Sequence, residues 1–182
     1  MDKFILNKEE TALLIIDIQE KLVPVMKYKD QVINNTKILI NTAIQMNMPI
    51  IYTEQYPKGL GNTVKELEEL LMDATKFEKN SFTAYIEEAR KALKATDRKK
   101  IIVVGMENHV CVYQTVRDLL IDGYQVFLVK DAVASRTKMN YRNGLDLMNL
   151  MGAVIINTET VVFDLLKTAG TPEFKVLSKM IK

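Results

Sequence analysis

Three side chains of this 182-residue chain have the types and settings for covalent chemistry: Asp17, Lys79 and Cys111. Asp17 follows an apolar run in LLIIDIQEKL. A carboxylate there lies at the edge of a core, where loss of water raises its pKa and suits it to take a proton. The same aspartate could simply cap a following helix. Cys111 lies in IIVVGMENHVCVYQTVRDLL, where Gly105 permits a tight turn and a helix begins near Val110. A sulfur near a helix N-terminus is biased toward the nucleophilic thiolate. The alternative is a small buried hydrophobe, the commonest state of a free cysteine. Lys79, in FEKNSFTAY, competes with Lys76 for any role at the end of its segment.

These residues need a frame to bring them together. Apolar runs rich in Ile and Val occur at 11–16, 49–53, 100–104, 125–129 and 153–156. None alternates cleanly with polar residues, as expected of parallel strands buried on both faces. A more polar run at 75–79 reads as an edge strand. Helical spacing fills 31–46, 63–72, 84–95, 110–121 and 141–150, with Gly123 and Gly152 as stops. A last segment, 165–181, is broken at Gly170 and Pro172, leaving a helix over 173–181. Strands alternating with helices predict an α/β protein, a three-layer α/β/α sandwich in one domain over 1–182. Ligands of such sheets bind beyond the carboxyl ends of the strands, where strand order reverses. Asp17, Lys79 and Cys111 all stand at or just after strand ends.

Composition narrows the function. Lys and Arg number 25 and Asp and Glu 23, a formal charge of +2, which gives no nucleic-acid footprint. The stretch 90–100 is basic but interrupted, and reads as a solvated helix face. No run is apolar and long enough to span a membrane. MDKFILNKEE does not read as a signal peptide, and the one cysteine forms no internal disulfide, so the expected compartment is the cytoplasm.

Taken in order, LLIIDIQEKL, KNSFTAY, GMENHVCVYQT, GYQVFLVKDAVASR and GAVIINTETVVFDLL resemble the isochorismatase-like cysteine hydrolases, a family that includes nicotinamidases. The likeness runs over nearly the whole chain. TEQYPKGLGNTVKEL, at 53–67, is most similar to the isochorismatase-domain-containing subgroup, whose members are described mainly as hydrolases of unassigned substrate. The resemblance implies a six-stranded, mainly parallel sheet in the order 3-2-1-4-5-6. It also selects Lys79, four residues before the Thr83-Ala84-Tyr85 element, over Lys76. It implies an Asp17–Lys79–Cys111 triad and a cis peptide between Met106 and Glu107, with the N–H groups of Glu107 and Cys111 as an oxyanion hole. The implied activity is cleavage of a small amide or related acyl compound through a covalent Cys111 intermediate, with a small molecule as substrate and no cofactor.

The departures are informative too. Nicotinamidases hold a metal with histidines in the loop after the second strand. Here that loop begins Glu54, Gln55, Tyr56, Pro57, and the chain has a single histidine, His109. A histidine-based metal site cannot be built from it. True isochorismatases lack the cysteine. Gln19 either orients the site or lies on the surface. Glu54, Gln55, Tyr56 and Phe82 are pocket candidates, with Glu54 either recognising substrate or pairing with a lysine or arginine. Competing readings are a nicotinamidase-like amidase, a non-catalytic assembly or regulatory protein, and a redox thiol that borrows a partner. A homo-oligomer is expected, from the family habit and from the apolar Phe174, Leu177 and Ile181 near the end of the chain, which could equally pack on the chain's own core.

Overall fold

Six strands form one parallel sheet: β1 (Thr11–Ile16), β2 (Ile50–Gln55), β3 (Thr75–Lys79), β4 (Lys100–Met106), β5 (Gln125–Ala134) and β6 (Val154–Ile156). Their order is β3-β2-β1-β4-β5-β6, so the reversal falls between β1 and β4. The computed structural model describes residues 2–181. Among the described residues, eight α-helices accompany the sheet: α1 (Lys29–Gln45), α2 (Pro57–Leu60), α3 (Lys65–Glu68), α4 (Glu87–Ala95), α5 (Tyr113–Ile121), α6 (Lys138–Leu150), α7 (Thr158–Leu166) and α8 (Pro172–Leu177).

The period-2 alternation of strand side chains divides the core into two layers. Leu13 and Ile15 of β1 join Ile102, Val104 and Phe127 on one face, covered by α1, α7 and α8. Ala12, Leu14 and Ile16 join Ile101 and Val103 on the other, covered by α4, α5 and α6. Both faces of β1 and β4 are therefore buried along their whole length, which is why neither alternates in sequence. No described helix is long and apolar enough to cross a membrane.

Several boundaries differ from the sequence reading, each for a local reason. β5 runs five residues past Val129, through the polar Lys130 and Asp131, because Val133 and Ala134 pair with Gly105 and Met106. Asp131 in turn accepts hydrogen bonds from the N–H and hydroxyl of Thr158, at 2.8 and 2.9 Å, and so anchors the start of α7. That helix was not expected. Its signal was Asn157, which caps it by accepting from the Thr160 N–H at 2.9 Å. The helix expected over 63–72 shrinks to the single turn of α3, because Thr63 is drawn into a bridge with Gln19 and into bonds with Glu54. In the closing segment Leu177 is wholly buried, and Phe174 and Ile181 pack partly buried against the same core, so packing on the chain's own core accounts for much of their apolar surface.

Gly105 matters for the site because it brings β4 against the end of β1. Its φ is +130°, and a Cβ added there would lie 2.0 Å from the Ile16 carbonyl oxygen. Gly105→Ala should cost about 3 kcal/mol of stability, since both backbone strain and overlap must be relieved. Urea unfolding measures it, and a loss below about 1 kcal/mol would contradict this account.

Candidate active site

The site assembles where the sheet order reverses. β1 ends at Ile16, and Asp17 turns out of the strand with φ of +51° and no exposed surface. No helix starts there, so the capping alternative does not hold. Thr53 on β2, opposite Ile16, donates its hydroxyl to Asp17 Oδ1 at 2.8 Å. Lys79 ends β3 and reaches across β2, placing Nζ 2.6 Å from Asp17 Oδ2. Neither side chain of this ion pair touches solvent.

Strand alternation explains why Lys79 and not Lys76 arrives. The two are three apart, so they point to opposite faces. Lys76 meets Glu54 Oε2 at 2.7 Å instead. The other oxygen of Glu54 accepts from the N–H and hydroxyl of Thr63, at 2.7 and 2.9 Å. Glu54 is thus a buried staple on the far face of β2, and its place as a pocket candidate is corrected.

Cys111 lies in one turn of π-helix, Asn108–Val112, that leads into α5. It is 7% exposed. The expectation of a ready thiolate at a helix start does not hold. Burial first, and then the negative charge of Asp17, push the thiol up to about 12. Lys79 and a hydrogen bond from the Glu107 backbone oppose this without overcoming it. Thiol, carboxylate and ammonium together are neutral, whereas a thiolate would leave one net negative charge in a buried site. Burial also raises Asp17, against the lowering effects of Lys79, Thr53 and Cys111. The sulfur thus keeps its proton beside the Asp17 carboxylate, and the acceptor nearest to it is Gln55 Oε1, 4.0 Å from Sγ.

Neighbouring segments hold this turn in place. The Met106–Glu107 peptide is cis. The Glu107 carboxylate accepts from the N–H and Nε of Arg136, at 3.0 and 3.1 Å. His109 Nδ1 lies 2.9 Å from Ser135 Oγ, just past β5. Thr115, which the sequence reading did not single out, donates to the Cys111 carbonyl at 2.6 Å and accepts from the Ala84 N–H at 2.8 Å. It stitches the Thr83-Ala84-Tyr85 element to the cysteine turn. Thr53 was missed as well. Its only signal was a hydroxyl at the end of the strand that neighbours β1.

The remaining candidates separate into two groups. Gln19 is wholly buried and bonds the Gln55 backbone from both sides, while Gln55 directs its amide at Lys79. Tyr56 and Phe82 are more than half exposed and stand at the rim. Phe82 contributes its carbonyl to Lys79 at 3.0 Å. Beside Lys79 lies a hollow of about 270 Å³ lined by Tyr56, Pro57, Lys58, Glu78 and Asn80. A larger hollow, of about 500 Å³, sits at the opposite end of the sheet, around Pro49, Ile50 and Thr75, away from these groups.

The isochorismatase domain model matches residues 11–160. A secreted isochorismatase effector of Phytophthora sojae, Isc1, is 37% identical over 177 residues, covering 94% of this chain and 84% of that one. Among solved structures, MAR1 ribonuclease from Caenorhabditis elegans is 37% identical with a TM-score of 0.93, covering 97% of this chain and 92% of that one. YcaC from Pseudomonas aeruginosa, solved with hexane-2,5-diol and covalent acrylamide, is 27% identical with a TM-score of 0.91, covering 97% and 91%.

Proposed function

The chain belongs to the isochorismatase family, and from that premise we propose that it hydrolyses a small amide or related acyl compound through a covalent intermediate on Cys111. The observation that carries this reading is the buried Lys79–Asp17 pair at 2.6 Å, with the Cys111 thiol close enough to feel the charge of the same carboxylate. A carboxylate pinned beside a protonated sulfur is a general base in place.

As sulfur attacks the substrate carbonyl carbon, its proton passes to Asp17 and the C–S bond forms. The C=O electron pair moves onto oxygen. That oxyanion is received by the backbone N–H groups of Glu107 and Cys111. On collapse the C–N bond breaks, and the proton on Asp17 goes to the departing amine or ammonia. Asp17 then takes a proton from water, whose oxygen attacks the thioester, and the sulfur leaves and regains that proton. Lys79 remains cationic throughout and offsets the negative charge that moves between Asp17, sulfur and the oxyanion.

No step in this sequence calls on a metal. The acrylamide bound covalently in YcaC is itself a small amide, and it supports a nucleophile in that relative able to attack an amide-bearing molecule. The name ribonuclease on the nematode structure describes a different reaction, phosphodiester cleavage, and the formal charge of +2 gives this chain no nucleic-acid footprint.

The test is a screen of small amides, nicotinamide included, for release of ammonia or amine. It is paired with intact-mass detection of an acyl adduct on Cys111 during turnover. Turnover of nicotinamide would favour the amidase of that name. Cleavage of RNA by wild type and Cys111→Ala alike would place the activity outside this site.

A further inference from the structure

Gln55 sits between the two charged members of the site and the sulfur. β2 alternates, so Thr53 and Gln55 point toward Asp17 while Glu54 points away. The backbone of Gln55 is clamped by a second amide. Gln19 Oε1 accepts from the Gln55 N–H at 2.7 Å, and Gln19 Nε2 donates to the Gln55 carbonyl at 3.0 Å. Gln19 Nε2 also donates to the Gly61 carbonyl at 2.7 Å, so the clamp is itself tied down.

The direction of the Gln55 side-chain amide then follows from its partners. The Lys79 ammonium only donates, so the atom 2.7 Å from it is Oε1. The Asn80 carbonyl only accepts, so the atom 2.9 Å from it is Nε2. Both ends require the same flip. The atom facing Cys111 Sγ, at 4.0 Å, is therefore the oxygen. A carbonyl oxygen beside sulfur favours S–H, from which it accepts, and disfavours S⁻, which it repels. The same oxygen engages the ammonium that would otherwise draw a thiolate out.

We propose that Gln55 is a positioning residue that holds Cys111 as a thiol, and aims its S–H, until substrate arrives. The inference rests on reading Cys111 as the nucleophile, but it concerns the resting sulfur and needs no substrate. It separates two properties that are often joined: Cys111 is a strong nucleophile only while Asp17 takes its proton during attack, and a poor one toward chance electrophiles. The other ionisable groups around the turn are accounted for. Asp17 and Lys79 pair with each other, Glu107 faces Arg136, and His109 is turned to Ser135.

The experiment is the pH dependence of Cys111 alkylation by iodoacetamide, followed by intact mass on the full chain. Cys111 is its only cysteine, so the label reads one atom. Gln55→Met keeps the length of the side chain and removes the acceptor. It should move the midpoint of the profile down by about one pH unit, and so raise labelling at pH 8 about tenfold. Gln55→Glu keeps an acceptor and adds a negative charge, and should move the midpoint up. A midpoint that is unchanged or higher in Gln55→Met overturns the proposal, as does a midpoint that falls in Gln55→Glu. If Gln55→Met does not fold, the Gln55→Glu shift decides alone. Failure of the amide screen leaves these outcomes untouched, so the two readings fail separately.

Discussion

Cys111→Ala is expected to fold as the wild type does and to lose hydrolytic turnover by about 10⁴-fold or more, the scale set by removing a covalent nucleophile. The substitution deletes one sulfur and leaves the backbone, the Asp17 carboxylate and the Gln55 amide around it in place. Its cost in stability is therefore about 1 kcal/mol, well below that of truncating a large core side chain. Thr115 still bonds the carbonyl of residue 111, and the Lys79–Asp17 pair is untouched. The variant thus separates chemistry from architecture. The comparison is kcat/KM on an amide the wild type cleaves, with circular dichroism and urea unfolding alongside. Activity within tenfold of wild type would show that the sulfur is not the attacking atom. Asp17 would then be left as the base for a water. Cys111→Ser should fall nearly as far, because a hydroxyl is a weaker acid than a thiol and asks more of the same carboxylate.

The resting state of the sulfur bears on how this site is probed. With the thiol pushed up to about 12 by burial and by Asp17, little thiolate exists near neutrality, and slow alkylation without substrate is what a functional site should give. A helix start taken alone points the other way. The dipole of α5 is local, whereas the burial of the turn and the charge of Asp17 come from parts of the fold distant in sequence.

That contrast marks where the sequence was legible. β1 and β4 could be read because burial on both faces removes polar residues from the run, and this pattern survives in any such sheet. β3 was found, and rightly placed at an edge, because its run is more polar than those of the inner strands. Asp17 and Cys111 were found as reactive side chains at strand ends, and the strand order that brings those ends together came with the family resemblance. Thr53, Thr115 and the inward turn of Gln19 were not legible. Their function is a hydrogen bond across strands or between a loop and a helix. A threonine or glutamine has the same composition whether it faces solvent or a buried carboxylate. Glu54 shows the converse. Its type and loop suggested substrate recognition, but the parity of β2 sends it to Lys76 and Thr63. Parity was readable once Thr53 was known to face Asp17, and that contact is tertiary.

Lys79→Met should produce the second large effect, on stability as well as turnover. Methionine matches much of the lysine stem, so the loss is one of charge and hydrogen bonds. Asp17 would stay buried without its cation, and Gln55 Oε1 and the Ser81 and Phe82 carbonyls would lose a common donor. Breaking a buried ion pair from one side costs about 3 kcal/mol or more, because the remaining charge is uncompensated. Asp17 can escape part of that cost by taking a proton. Burial already holds it above the ordinary carboxylate range, and Lys79 is the largest influence holding it down. Removing Lys79 raises it further. A carboxyl raised in the folded state adds stability that is complete below its unfolded value, about 4, and is lost as pH rises through its folded value. The variant's higher folded value extends that loss to higher pH than in wild type. The stability gap between the two should therefore widen from pH 5 to pH 8, as read by urea unfolding at each. Turnover near neutrality should fall about 10³-fold, since a protonated Asp17 cannot accept the thiol proton. A gap that is constant or narrower at pH 8 would mean that Lys79 does not hold Asp17 ionised. The ion pair would then be a feature of packing, and the general base would have to be sought elsewhere.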